Sequence, residues 1–190
     1  AESIDDVVKY LKEKNNGLYT NEWLIADTKS NEVAMFELGT KTNKLWRSSR
    51  DEWFGGTPGL YFGCNNVKDP EVRAEATRGN RKLGPWRATG RDKAWLAWYE
   101  KHKGKIDVAA AKEAFESPAL ALPHSLDAKF TTTELAKDLA AHALYGPPTG
   151  RTWEPTAADR QRFPDIAPLK PHPWTILTVG PPPATGAKER

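Results

Sequence analysis

Proline punctuates the last quarter of this 190-residue chain more densely than any other part of it. From Tyr145 onward the sequence runs through GPPTGRTWEPTAADRQRFPDIAPLKPHPWTILTVGPPPATGAKER. Each proline removes a backbone donor and fixes φ, so a long helix cannot form there. The pattern predicts an extended arm over 146–190 wrapping a body formed by 1–145. Trp153, Phe163 and Trp174 are its anchors, with one strand at Trp174 to Val179 and a frayed end after Gly180.

The body opens with a helix. Ile4, Val7, Val8 and Leu11 fall at i, i+3, i+4 and i+7, Ser3 is the N-cap, and NNG at 15–17 stops the helix. Two apolar runs, Trp23 to Ala26 and Val33 to Leu38, then flank the polar turn DTKSNE, and a third follows at Lys44 to Arg47. This is a β-meander, and its incomplete alternation predicts that at least one strand is covered on both faces. Leu60 to Phe62 read as a short buried strand. Helices are expected at about Asp92 to His102, with Trp95, Leu96, Trp98 and Tyr99 as an apolar stripe, and at about Val108 to Phe115 behind an Asp107 cap. TTTELAKDLAAHALYGPP gives the clearest helix by pattern, capped by threonines and closed by Gly146 and Pro147. The fold class is α+β, an antiparallel meander with packed helices.

Composition narrows the function. Against 25 acidic residues stand 28 basic ones, interspersed, for a net charge of +3, which is too weak a field for nucleic acid. No apolar run approaches the roughly 20 residues of a membrane span. The first residues, AESIDDVV, carry no targeting signal. One cysteine excludes an internal disulfide and a cysteine-based metal cluster. Eight tryptophans without repeat spacing point to packing rather than a carbohydrate-stacking face. No metal or other cofactor is implied.

The candidate chemical groups are few. Cys64, in GLYFGCNN, has no neighbouring His, and Lys68 is its nearest cation, so it reads as a small buried hydrophobe rather than a nucleophile. His142 lacks a second ligand at i+3 or i+4. His124 and Asp127 resemble an acid/base pair in HSLDAK. Arg73, Arg78, Arg81, Lys82, Arg87 and Arg91 form a basic stretch, most simply a solvated face, with room for one arginine at an anionic substrate.

Taken in order, NNGLYTNEWLIADTKSNEVAMFELG, GCNNVKDPEVRAEA, and HSLDAKFTT followed by GPPTGRTWEP resemble the carboxy-terminal part of phospholipase B-like proteins. They are also similar to the acyltransferase and amidase group of N-terminal nucleophile hydrolases that includes penicillin acyltransferase. The likeness covers roughly residues 10 to 178. It implies part of an αββα sandwich and cleavage of amide bonds by a cysteine made amino-terminal through self-cleavage, whose own α-amino group is the base. That cysteine lies upstream of the matched region, so the resemblance implies a partner: the amino-terminal portion of the same protein, with a small-molecule or peptide substrate between them. It places the oxyanion-binding asparagine at Asn66, with Asn65 as the register-shifted alternative, and a substrate-holding arginine at Arg91 or Arg87. HSLDAK becomes a structural turn before a helix.

Two other readings stand beside this one. A self-standing accessory or ligand-binding module would show a closed core and exposed, clustered tryptophans. A Cys64 hydrolase would need chain cleavage after Gly63.

Overall fold

The computed structural model describes residues 1–18, 21–76, 84–121, 125 and 127–180. His124, Arg78, Arg81, Lys82 and the end of the arm lie outside the described residues. The chain divides into two compact units, Ala1–Lys103 and Gly104–Arg190. The division thus lies well before the 145/146 boundary expected from the prolines.

In the first unit, α1 (Ile4–Glu13) begins where the Ser3 hydroxyl accepts the Asp6 N–H. Ile4, 1% exposed, seats the helix on the sheet. The sheet consists of β1 (Asn21–Asp27), β2 (Glu32–Leu38) and β3 (Asn43–Arg47), antiparallel in that order. Asp27 accepts from Lys29 N and the Ser30 hydroxyl, tightening the β1–β2 turn. Because β2 is central and covered on both faces, Ala34 to Leu38 are all buried, which is why the period-2 alternation fails there. Phe36, Met35 and Ile4 are fully buried, each stabilising the unit by about 1.5–3 kcal/mol. Arg47 joins three elements, with both Asp5 oxygens at 2.9 Å and a two-point contact with Glu32 at 2.8 and 2.7 Å.

The helix α2 (Pro70–Ala76) carries Arg73, the first arginine of the basic stretch. Its start is local chemistry. Asp69 accepts from Glu71 N and Val72 N, and Pro70 takes the first helical position, where its missing N–H costs nothing. At its far end Glu75 accepts the main-chain N–H groups of Lys41 and Thr42, both at 2.8 Å, fixing the β2–β3 turn. The helix α3 (Gly90–His102) starts at a capping box in which Thr89 and Asp92 bond reciprocally. Leu60 to Phe62 form no ladder; Phe62 is buried in extended chain and stacks on Trp95.

The second unit carries α4 (Val108–Glu116), capped by Asp107, and an antiparallel sheet of β4 (Asp127–Phe130), β5 (Ala141–Tyr145) and β6 (Thr175–Leu177). The proline-rich segment therefore supplies a paired edge strand, shorter than expected. It also supplies α6 (Ala157–Arg162), and Trp153 bridges Leu169. Phe115, Phe130 and Trp174 pack together, and the Trp174 indole donates to Glu116 at 2.7 Å.

The long helix expected over 131–146 is not formed. Only α5 (Thr133–Lys137) is helical, and it ends in a Schellman-type turn with Leu139 at φ 51° and Ala140 N donating to Leu135 O. His142 to Tyr145 then pair with β4, and Ala141 to Ala143 with β6. Pairing on both sides outweighs the helix propensity of an alanine-rich run. Gly146 closes the strand at φ 93°, where a Cβ would sit 2.3 Å from Lys170 O.

Candidate active site

The site forms in the first unit, where the chain leaves Phe62 and turns into α2. Gly63 passes so close to β1 that a Cβ would meet Glu22 Oε2 at 2.7 Å. Cys64 follows, 4% exposed. Burial, then the neighbouring Asp92 carboxylate, push its thiol up to about 11 against the opposing pull of Arg91 and Lys68. A thiol in that state is no nucleophile at neutral pH.

Asn65 is exposed and takes the left-handed conformation, φ 55°. That turn sends Asn65 and Asn66 into different surroundings. Asn66 spends its whole amide inside the protein. Nδ2 donates to Arg87 O at 3.1 Å and to Asp92 Oδ2 at 2.8 Å, and Oδ1 accepts from Arg73 Nη1 at 3.0 Å. No N–H of Asn66 remains to meet a substrate. On Asn65, Oδ1 accepts from Arg91 Nη2 at 3.2 Å, the same nitrogen that donates to Cys64 O at 2.8 Å. Because a guanidinium only donates, this contact assigns oxygen to the inner position and Nδ2 to the outer one. Nδ2 has no partner among the described residues.

All four residues singled out from the sequence therefore meet at one place, in roles that differ. Arg91 holds Asn65. Arg87 contributes its main-chain carbonyl to Asn66. Asn66 is a strut between Arg73 of α2 and Asp92 of α3, and the first choice for a donating amide passes to Asn65.

Beneath them lies a group of buried charges that the sequence reading did not single out. Asp92, 0% exposed, accepts through Oδ2 from Asn66, Thr89 N and the Thr89 hydroxyl, while Oδ1 is buried without a hydrogen-bond partner. Burial pushes this carboxyl up, but the hydrogen bonds from Thr89 and Asn66, with Lys68 nearby, outweigh it and hold the group below its ordinary value. Lys68 has a side chain only 1% exposed, pairs with Glu22, and lies 5.7 Å from the Phe54 ring centroid and 5.4 Å from that of Phe62. Glu37, fully buried and opposite Glu22 in register, accepts the main-chain N–H groups of Lys68 at 2.7 Å and Asp69 at 2.8 Å. Burial, reinforced by Glu22, raises the Glu37 carboxyl to about 7. A buried acid inside a strand has the same letter as an exposed one; the signal available was Glu37 within the apolar run VAMFEL.

The remaining candidates stand elsewhere. Asp127 begins β4 beside Lys129, and His142 stacks on Phe130 at 4.8 Å in β5. Of the eight tryptophans only Trp23 is exposed, at 40%; the others are buried or half-buried. Among the described residues no helix is long and apolar enough to cross a membrane, and no three His, Cys, Asp or Glu side chains are grouped to hold a metal ion. No family model matches the chain, and neither the curated proteins nor the solved structures contain a match to it.

Proposed function

We propose that the chain is the carboxy-terminal portion of a cysteine N-terminal nucleophile hydrolase acting on amide bonds, with the nucleophile supplied by an upstream portion of the same protein. The observation that carries this reading is the Asn65 amide, fixed through its oxygen by Arg91 with its nitrogen outward, in the Asn65–Asn66 pair where the resemblance calls for an oxyanion donor. An amide suits that task because it donates to developing negative charge without titrating. In the proposed reaction the cysteine sulfur attacks the substrate carbonyl while its α-amino group takes the thiol proton. Asn65 Nδ2 donates to the oxyanion, the amine leaves with a proton, and water then hydrolyses the thioester. Arg91 is a positioning residue in this scheme. The half-buried packing of most tryptophans argues against the ligand-binding module, which needs them exposed together.

The test uses protein isolated from its native host. The amino-terminal residue of every chain is determined, and the preparation is assayed for release of amine from a panel of N-acyl amides. A polypeptide beginning with Cys, accompanied by hydrolysis that falls about 10²–10³-fold in kcat with Asn65→Ala, supports the proposal. Absence of both the amino-terminal cysteine and the hydrolysis refutes it.

A further inference from the structure

Glu22 and Glu37 are register partners across β1 and β2, so their side chains leave the same face of the sheet. Glu37 is 0% exposed and the Glu22 side chain 7%. Like charges directly opposite on a sheet repel, and burial removes the water that would screen them. Glu22 nevertheless hydrogen-bonds the Glu37 side chain. An ionised carboxylate only accepts, so a bond between two carboxyls needs a proton on one of them.

The surrounding charges do not replace that proton. Lys68 is one ammonium for two carboxyls, and it is paired with Glu22. Lys44 stands opposite Glu37 on β3, but it is exposed, with its ammonium 5.8 Å from the Trp46 ring centroid. Asp69 caps α2, Glu75 of α2 holds the β2–β3 turn, and Asp92 of α3 holds Asn66 and Thr89, so each adds negative charge. Arg73 is turned onto Val67 O and Asn66, and Arg91 onto Cys64 O and Asn65. The segment 63–69 meets the pair at three points: Gly63 passes against Glu22, and the N–H groups of Lys68 and Asp69 donate to the two oxygens of Glu37.

We infer that Glu22 and Glu37 form a binding site for one shared proton, and that this proton latches segment 63–69, with Asn65 on it, onto the sheet. The latch is independent of any hydrolase chemistry. While the segment is closed, burial and the facing carboxyl keep the proton bound up to about pH 7. When the segment lifts, water reaches both carboxyls, they ionise separately, and the proton passes to solvent. Closing takes one proton back. Opening therefore becomes about tenfold easier with each pH unit between the value of a free glutamate, about 4.3, and the closed value. Above that the closed segment has lost its proton too, and the opening equilibrium is level.

Exchange of the Lys68 and Asp69 amide hydrogens reads the latch directly, because both are bonded to Glu37. It is followed by NMR on the full chain from about pH 5 to 9, where hydroxide catalysis alone gives a rise of about tenfold per unit. The expected result is a rise of about a hundredfold per unit up to neutrality and about tenfold beyond it. Glu37→Gln removes the proton site. Glu22→Gln replaces the shared proton with an amide that donates to Glu37, and it decides the matter if Glu37→Gln does not fold. Both variants should show about tenfold per unit throughout and lose the infrared carbonyl band of a protonated carboxyl that the folded parent shows at about pH 6. A wild-type chain rising only tenfold per unit below neutrality overturns the latch. A folded Glu22→Gln chain that keeps the steep rise or the infrared band overturns the sharing.

Discussion

Arg91 reaches back 26 residues along the sequence to hold the side-chain oxygen of Asn65 at 3.2 Å. With the oxygen fixed, the nitrogen can face only outward. Replacing Arg91 with alanine frees the amide to rotate and removes the bond to Cys64 O as well. Under the proposed hydrolase reading, the expected result is a loss of about tenfold in kcat with KM nearly unchanged, since a positioning residue acts on the transition state. Stability should fall by only about 1 kcal/mol in urea unfolding. A KM effect without a kcat effect would place Arg91 on the substrate instead.

Glu37 sets a pH dependence opposite in sign to that of most carboxylates. Its folded value, about 7, lies above its unfolded one, so the folded state binds the extra proton between the two. Stability is therefore full in mild acid and declines as pH rises toward 7. Glu32, held at about 2 by Arg47 and Ser49, contributes the reverse, a loss confined to acid below its ordinary value. Urea midpoints measured between about pH 5 and 8 should fall with pH in the wild type and flatten in Glu37→Gln. Equal slopes in the two proteins would remove Glu37 as the cause.

Lys68 is the ammonium paired with Glu22 on the face that Glu22 shares with Glu37. Lys68→Met leaves buried carboxylates without that cation and should cost about 3–5 kcal/mol. Adding Glu22→Gln should recover part of that loss. A double variant no more stable than the single one would show that the lysine stabilises through Phe54 and Phe62 rather than through charge.

Cys64 should resist a disulfide-exchange reagent at neutral pH in the folded chain and react fully once the chain is unfolded in urea. Burial and a thiol raised to about 11 both predict this. Rapid labelling of the native protein would revive the reading of Cys64 as a nucleophile.

Leu139 sits at φ 51° and is 74% exposed, so it bears left-handed strain without burying its side chain. Leu139→Gly should raise stability by about 1 kcal/mol by relieving that strain. The thermal midpoint reports it.

How much of this was legible in the sequence depends on how local its cause is. The first helix, the meander and α3 follow from periodicity and caps contained within each segment. The break at Leu139 was hidden because a leucine fills a position where glycine would have signalled the helix end. The convergence on Asn65, Asn66, Arg87 and Arg91 was suggested by resemblance, but which asparagine faces outward depends on one positive φ at Asn65 and on an arginine 26 residues away. Asp92 was visible only as a helix start. Its second role, receiving the Asn66 amide, is a long-range contact that no sequence window contains.

Glu37 lies in the middle strand of a sheet built from neighbouring hairpins, while the two N–H groups it accepts belong to residues 31 and 32 positions further along the chain. Hairpins close quickly and distant segments arrive later. Among the described residues the main-chain partners of that carboxyl come only from Lys68 and Asp69, so the centre of the sheet can be dry only while the segment that follows Asn65 and Asn66 stays in its place.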